Sequence, residues 1–210
     1  MEKLIIIGAG GHAVSVLDII LDGGIYQPIA VADKIIFEAK LYGVPVVDES
    51  KLFELYTQGI RCFFTAIGDN ALRRKLSIAA QEIGYTAVNA ISKYSYVSKR
   101  TELGVNIAVM PNASIIAGTK IGSGTIVNTN ASIDHECTIG AYCHIAPGAT
   151  LCGKVIVGNN TFVCAGAKII DGMTIGENCV IAAGAVVTRD IEGNCTAMGI
   201  PAKPIKYHNT

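Results

Sequence analysis

The stretch IDHECTIGAYCHIAPG, residues 133–148, sets His135 and His144 nine residues apart in a chain with 4 histidines in all. His135 is flanked by Asp134 and Glu136. An imidazole beside a carboxylate can take a proton near neutral pH, because the carboxylate orients the ring and stabilises the imidazolium. Neighbouring residues of a strand point to opposite sides, so the geometry of a corner must decide which carboxylate reaches the ring. The bland reading is a pair of solvated histidines on a surface face. Zinc is a further reading, but a catalytic zinc site takes three protein ligands. The segment offers two histidines, and no metal is expected.

A second candidate lies at the other end of the chain. GAGGHA, residues 8–13, gives a G-x-G-x-x-A pattern between an apolar run and an amphipathic one. Glycines let a backbone approach a ligand closely, and the free N–H groups of a helix start favour phosphate. Asp33 follows about twenty residues on, where a ribose-binding acid would stand. A tight turn without a ligand fits the same residues. A nicotinamide cofactor fits less well, because the α/β part is half the usual dinucleotide fold. The 7 cysteines include no CxxC. Cys137, Cys143 and Cys179 share one phase of a repeat and read as small buried fillers rather than ligands or disulfides.

Two kinds of element must position these groups. From residue 91 every sixth residue is Ile, Leu or Val, from Ile91 and Val97 through Ile133, Ile139 and Ile145 to Ile181 and Val187. Gly recurs directly after the anchor at Gly104, Gly122, Gly140, Gly158 and Gly176. A period of six suits neither an amphipathic helix nor a hairpin meander, but it does suit a parallel β-solenoid whose rungs bury their anchors against each other. The first 88 residues alternate instead: KLIIIG strand, GHAVSVLDIILD helix, PIAVAD strand, DESKLFELYTQG helix, RCFFTAIG strand, NALRRKLSIAAQEIG helix. That order predicts a small Rossmann-like α/β domain on a parallel sheet over 1–88, followed by the solenoid over 89–210.

Composition narrows the field. Half the residues are hydrophobic (50%), 16% are charged, and 17 basic residues balance 17 acidic ones. The chain can bury a sizeable core, and no net field draws nucleic acid or an anionic membrane. The apolar start is too short for a signal peptide and no stretch reaches a transmembrane span, so the cytoplasm is the expected compartment.

The anchors resemble those of the hexapeptide-repeat acyltransferases, which implies a left-handed parallel β-helix with three short sides per coil. A short GAGGHA domain followed by hexads carrying DHE resembles the sugar O- and N-acetyltransferases of surface-glycan and sialic-acid pathways. That resemblance implies acetyl-coenzyme A as co-substrate and direct transfer to the 4-amino group of a nucleotide-linked amino sugar. It implies His135 as general base, with Glu136 favoured over Asp134 as its partner. For the coenzyme it implies His144 at the acetyl carbonyl, with Gly153, Ala165, Ala183 and Lys203 along the arm and phosphates. For the nucleotide-sugar it implies Gly10, Gly11 and His12 at the diphosphate and Asp33 near the base or ribose. It implies that Lys34, Gly68, Asn70 and Arg73 help close the same pocket. Relatives often carry consecutive acids where this chain has Asp33-Lys34, which leaves UDP, dTDP and GDP open. O-acetylation of sialic acid or another sugar hydroxyl is the alternative, and a non-catalytic scaffold is a further one.

Nine residues is half of an eighteen-residue coil. On one prism the two rings therefore lie on opposite sides, on the order of 15 Å apart. Packing the His135 side of one chain against the His144 side of the next brings them together, so a homotrimer with active sites between subunits is expected.

Overall fold

The computed structural model describes residues 1–35 and 38–208 and divides into two units, Met1–Ser92 and Lys93–Thr210. Among the described residues no helix is long and apolar enough to cross a membrane.

In the first unit, β1 (Glu2–Ile7) is a continuous apolar run with Leu4 to Ile7 fully buried, the signature of a strand covered on both faces. It pairs in parallel with β2 (Tyr26–Asp33) on one side and β5 (Cys62–Thr65) on the other. Helix α1 (Gly11–Gly23) buries Ala13, Val16, Leu17 and Ile20 on one stripe and ends at Gly24 in the left-handed conformation. A 3-10 turn and α2 (Leu52–Thr57) follow, the turn opened by Asp48, whose carboxylate accepts from the Ser50 N–H. Helix α3 (Asn70–Ile83) is capped by Asp69, which accepts from the Leu72 N–H at 2.7 Å.

One part of this sheet had no counterpart among the expected elements. Residues 40–48 form a hairpin, β3 (Lys40–Leu41) and β4 (Val44–Asp48), turned through Tyr42 and Gly43, both at positive φ. Two consecutive positive φ values make the tight turn whose twist matches antiparallel strands. With β6 (Thr86–Ala87) the order is β3-β4-β2-β1-β5-β6, so the chain reverses its direction of growth between β1 and β5. Ligands of such sheets bind outside the carboxyl ends of the strands near this reversal.

The second unit is a left-handed β-helix of hexapeptide coils. Each strand of the coils is two residues long and the anchor is its second residue: Ser132–Ile133, Thr138–Ile139 and His144–Ile145 form one coil. Each pairs in parallel with the residue eighteen further on, Ile133 with Leu151, Ile139 with Val157 and Ile145 with Val163. Every anchor from Val109 to Val187 is at most 3% exposed. The first anchor differs from expectation: Ile91 falls in the first unit and is 40% exposed, so the core series begins later. Val97 and Leu103, on this unit's terminal coil, are only partly buried.

The corners explain the other repeats. A Cβ on Gly122, Gly140 or Gly158 would stand 2.5, 2.6 or 2.4 Å from backbone nitrogen of the next coil, so glycine is what lets the rungs stack there. Inside the corner, Thr125 Oγ1 donates to Gly140 O and accepts from Cys143 N–H, and Cys143 Sγ then donates to Gly158 O. Thr and Cys thus satisfy turn groups that would otherwise be buried unpaired. Cys137 is fully buried, and that burial pushes its thiol up to about 11. The unit closes with an antiparallel hairpin, Cys195–Gly199 with Ala202–Tyr207, whose first strand extends the ladder from Val180–Ile181.

Candidate active site

His135 stands at the corner between the strands Ser132–Ile133 and Thr138–Ile139. The two flanking carboxylates have separate tasks. Asp134 Oδ1 accepts from the backbone N–H of His135 at 2.7 Å and shapes the corner. Glu136 Oε2 lies 3.1 Å from His135 Nδ1. The reason is backbone geometry: Glu136 has φ 57, a left-handed conformation that turns its side chain to the side of the ring. Such a φ in a non-glycine residue costs roughly 1–2 kcal/mol. With Glu136 on Nδ1, that nitrogen carries the proton and Nε2 is left as the acceptor. His135 is 48% and Glu136 61% exposed on their side chains, so the pair faces outward.

The eighteen-residue register puts Gly153 and then Asp171 beneath His135. A Cβ on Gly153 would meet His135 Cε1 and Nε2 at 2.6 Å and Asp171 Oδ1 at 2.7 Å. Gly153 was expected along the coenzyme arm; the structure places it under the imidazole, where it makes room for the ring. Asp171, exposed and reaching toward the same space, was not singled out from the sequence. Aligning the chain by eighteen rather than six would have brought it to notice.

His144 lies on the opposite face of the same coil, within the strand His144–Ile145. Its ring stacks on Phe162 at 4.9 Å and 21°. Asn128 Oδ1 accepts from the Thr129 N–H at 2.8 Å, which turns the Asn128 amide so that Nδ2 donates to His144 Nε2 at 3.0 Å. His144 therefore carries its own proton on Nδ1. Neither Asn128 nor Phe162 was anticipated, because both are neighbours through the stacking of coils. Ala165 and Ala183 occupy exposed corner positions one coil apart, and Lys203 is exposed on the closing hairpin. The carbonyl of Ala165 accepts from Gly184, the residue after Ala183.

In the first unit the glycine turn borders a pocket of about 210 Å³ lined by Ala9, Gly10, Gly11, Val14, Glu38, Leu41 and Val46. Its far wall is the β3–β4 hairpin. Nothing lies within 4 Å of where a Cβ of Gly10, Gly11 or Gly68 would stand, so these glycines leave open backbone. Gly8 differs: at φ 105, a Cβ there would stand 2.5 Å from Ile67 Cδ1 and 2.9 Å from Ala66 O. Asp33 ties two turns together, accepting from the N–H groups of Ala9 at 2.6 Å and Ile35 at 3.0 Å, while Lys34 is exposed beside it.

Two of the residues expected around the ligand have buried polar ends. Arg73 is 0% exposed, and its guanidinium donates to Ile67 O, Gly68 O and Asn70 Oδ1. It holds the loop that carries Gly68 instead of reaching out of it. His12 has a buried Nε2 without a hydrogen-bond partner, and burial, with the charge of Arg73, lowers its pKa to about 4. It is neutral near pH 7 and offers a diphosphate no positive charge. Among the described residues no group of three or more His, Cys, Asp or Glu side chains is placed to hold a metal ion.

Residues 3–79 match the family described as the PglD N-terminal domain, and residues 118–153 and 154–189 match bacterial transferase hexapeptide (six repeats). Among solved structures, the chain is similar to a single-histidine variant of perosamine N-acetyltransferase from Caulobacter crescentus in complex with CoA and GDP-perosamine. That match has 40% identity and a TM-score of 0.95 and covers 98% of each chain. The acetyltransferase domain of PglB from Neisseria gonorrhoeae, in complex with acetyl coenzyme A, is 33% identical with a TM-score of 0.92, over 97% of this chain and 99% of that one. A curated relative, uncharacterized protein L142 of Acanthamoeba polyphaga mimivirus, is 30% identical over 135 residues, or 58% of this chain. The chain spans about a quarter of that protein, 24% of its length.

Proposed function

The chain belongs to the hexapeptide-repeat sugar acetyltransferases, and from that premise we propose that it transfers the acetyl group of acetyl-coenzyme A to the 4-amino group of a nucleotide-linked amino-deoxy sugar in surface-glycan synthesis. The observation that carries the reading is the His135–Glu136 pair, whose geometry leaves Nε2 free to accept a proton. The 40% identity to an enzyme whose complex holds GDP-perosamine favours GDP as the nucleotide.

The chemistry follows from the groups in place. The acceptor amine attacks the thioester carbonyl, and its nitrogen becomes more acidic as the C–N bond forms. His135 Nε2 takes that proton while Glu136 stabilises the imidazolium, and the proton then goes to the departing thiolate. No acyl-enzyme is required. The thiol of Cys137, the cysteine beside Glu136, is buried and held protonated, which fits direct transfer. His144, protonated on Nδ1, is suited to donate to the acetyl carbonyl. Ala165 and Ala183 supply exposed backbone for the pantetheine arm, with Lys203 for the coenzyme's phosphates. In the first unit, the pocket along Gly10 and Gly11 takes the nucleotide-sugar; Asp33 holds the turn that lines it by accepting from the Ala9 N–H, and Arg73 fixes the loop of Gly68 and Asn70.

His135 sits at a corner and His144 on the opposite face, so one chain does not bring both to one acetyl group. A homotrimer pairing His135 of one subunit with His144 of the next solves this by closed symmetry. The reading is tested by following thiol release from acetyl-coenzyme A over GDP-, UDP- and dTDP-linked amino sugars beside free sialic acid. Release with an amino sugar, and none with sialic acid, is the expected result. Release with sialic acid alone overturns it.

A further inference from the structure

The pocket of the first unit has a lining at odds with a site for an anion. On its α1 side are the open backbone of Gly10 and Gly11 and the aliphatic side chain of Val14. The hairpin side brings Leu41 and Val46, each half-buried, as Val14 is. Strand β4 alternates here: Val47 packs into the core of the sheet while Val46 turns to the pocket. Among the described residues, Glu38 is the one charged side chain in the lining. It stands at the mouth of the hairpin, where the neighbouring Ala39 O accepts from the Val46 N–H at 2.9 Å and ties this backbone to β4.

A carboxylate near a diphosphate works against binding unless it meets hydrogen-bond donors. A nucleoside diphosphate carries donors on its ribose hydroxyls and on its base. Asp33 is already engaged, since its two oxygens accept from the N–H groups of Ala9 and Ile35. The slot beside Glu38 has aliphatic side chains on both walls, which suits the faces of a flat ring and leaves ribose hydroxyls without partners there. We propose that Glu38 reads the base of the nucleotide-sugar, its two oxygens accepting from N1–H and the 2-amino group of guanine. The inference rests on the acetyl-transfer reading given above and names the residue that sets its nucleotide.

Guanine is the common base with two neighbouring donors on one edge, the spacing that a carboxylate accepts as a pair. Uracil and thymine offer one N–H between two carbonyls, so a carboxylate that accepts from it meets an oxygen on either side. Adenine and cytosine set an amino group beside a bare ring nitrogen, whose lone pair faces the second carboxylate oxygen. Hydrogen bonds to a charged acceptor are roughly twice as strong as neutral ones, and pairing them adds geometric selection. The same arrangement orients the ligand. Its base enters the slot of Glu38, Leu41 and Val46, and its diphosphate points to the N–H groups at the start of α1.

The test measures binding of plain nucleoside diphosphates by calorimetry, with inosine diphosphate as the probe that lacks only the 2-amino group. The wild type should bind GDP about 10-fold or more tighter than inosine diphosphate, UDP or dTDP, the worth of a hydrogen bond to a charged group. Glu38→Gln should weaken GDP by about 10- to 100-fold and bring GDP and inosine diphosphate within about threefold of each other, because the group that senses the 2-amino donor is gone. Equal binding of GDP and inosine diphosphate by the wild type overturns the proposal without recourse to any variant. So does an unchanged ratio of the two in Glu38→Gln, which would mark a structural role. Nucleotide binding needs no coenzyme, so the two readings fail separately. A wild type that keeps the GDP preference but acetylates no amino sugar sinks the acetyl-transfer reading alone. A wild type that acetylates a UDP- or dTDP-linked amino sugar and ignores the GDP-linked one sinks the role of Glu38 and leaves acetyl transfer standing.

Discussion

At the scale of single residues, the site depends on a backbone angle. Glu136 occupies a left-handed corner position that Gly118 and Gly172 fill in coils of the same column. Asn takes such a φ with less strain and occurs at Asn112, Asn130 and Asn160. Glu136→Asn should therefore fold at least as well as the native chain, judged by Tm, while losing on the order of 10-fold in kcat as Nδ1 loses its carboxylate. His135→Ala should lose about 10²–10⁴-fold in kcat with little change in coenzyme KM, because a general base acts in the transition state. Near-native turnover by the alanine variant would remove His135 from the mechanism. His12 gives a pH signature. Its folded pKa is depressed to about 4 from 6.5, so between these values the unfolded chain binds a proton that the folded chain does not. Stability should fall as pH drops from about 6.5 toward 4, and a His12→Leu variant should show a shallower fall in Tm over that range. The DHE triplet was legible as chemistry from sequence. Which acid serves the ring came only from the resemblance, which favoured Glu136, since the choice depends on φ at a corner; Asp171, whose nearness to His135 depends on coil stacking, was not singled out.

At the scale of elements, period-six anchors identified the β-helix because each rung repeats one local solution. The α/β unit has no such redundancy, and its β3–β4 hairpin escaped notice. Two-residue β3 and a Pro inside β4 give too little alternation to read as strands, although Tyr42-Gly43 is a tight-turn pair. The hairpin supplies Leu41 and Val46 to the pocket, so that wall was missing from the sequence reading. The glycines of the β1–α1 turn now separate by cause. Gly8→Ala places a Cβ against Ile67 and the Ala66 carbonyl at φ 105, and it should cost about 2 kcal/mol or more, read by denaturant unfolding. Gly11→Val meets open space and should leave stability nearly unchanged while raising the nucleotide-sugar KM, with acetyl-coenzyme A KM unaffected. A fall in both affinities in the folded Gly11 variant would contradict the division of binding between the two units.

At the scale of the whole molecule, the proposal joins coils into a threefold assembly. His135 and His144 are half a coil apart, and the structure puts one at a corner and the other on the facing side. Mixing His135→Ala with His144→Ala chains should regenerate activity, because some boundaries in mixed trimers carry both native residues. Recovery requires each variant to be nearly inactive alone and the subunits to exchange. A monomer with full turnover, read by light scattering beside the assay, would refute the shared site. All of this serves one claim, that the acceptor atom is an amine nitrogen. The most direct test is NMR of the product formed from a GDP-linked 4-amino-deoxy sugar and acetyl-coenzyme A labelled at the acetyl carbonyl. Coupling of the labelled carbonyl to the amide N–H proton, and of that proton to the C–H of the sugar's nitrogen-bearing carbon, is the result expected. A labelled ester on a sugar hydroxyl, with the amine left free, would contradict it.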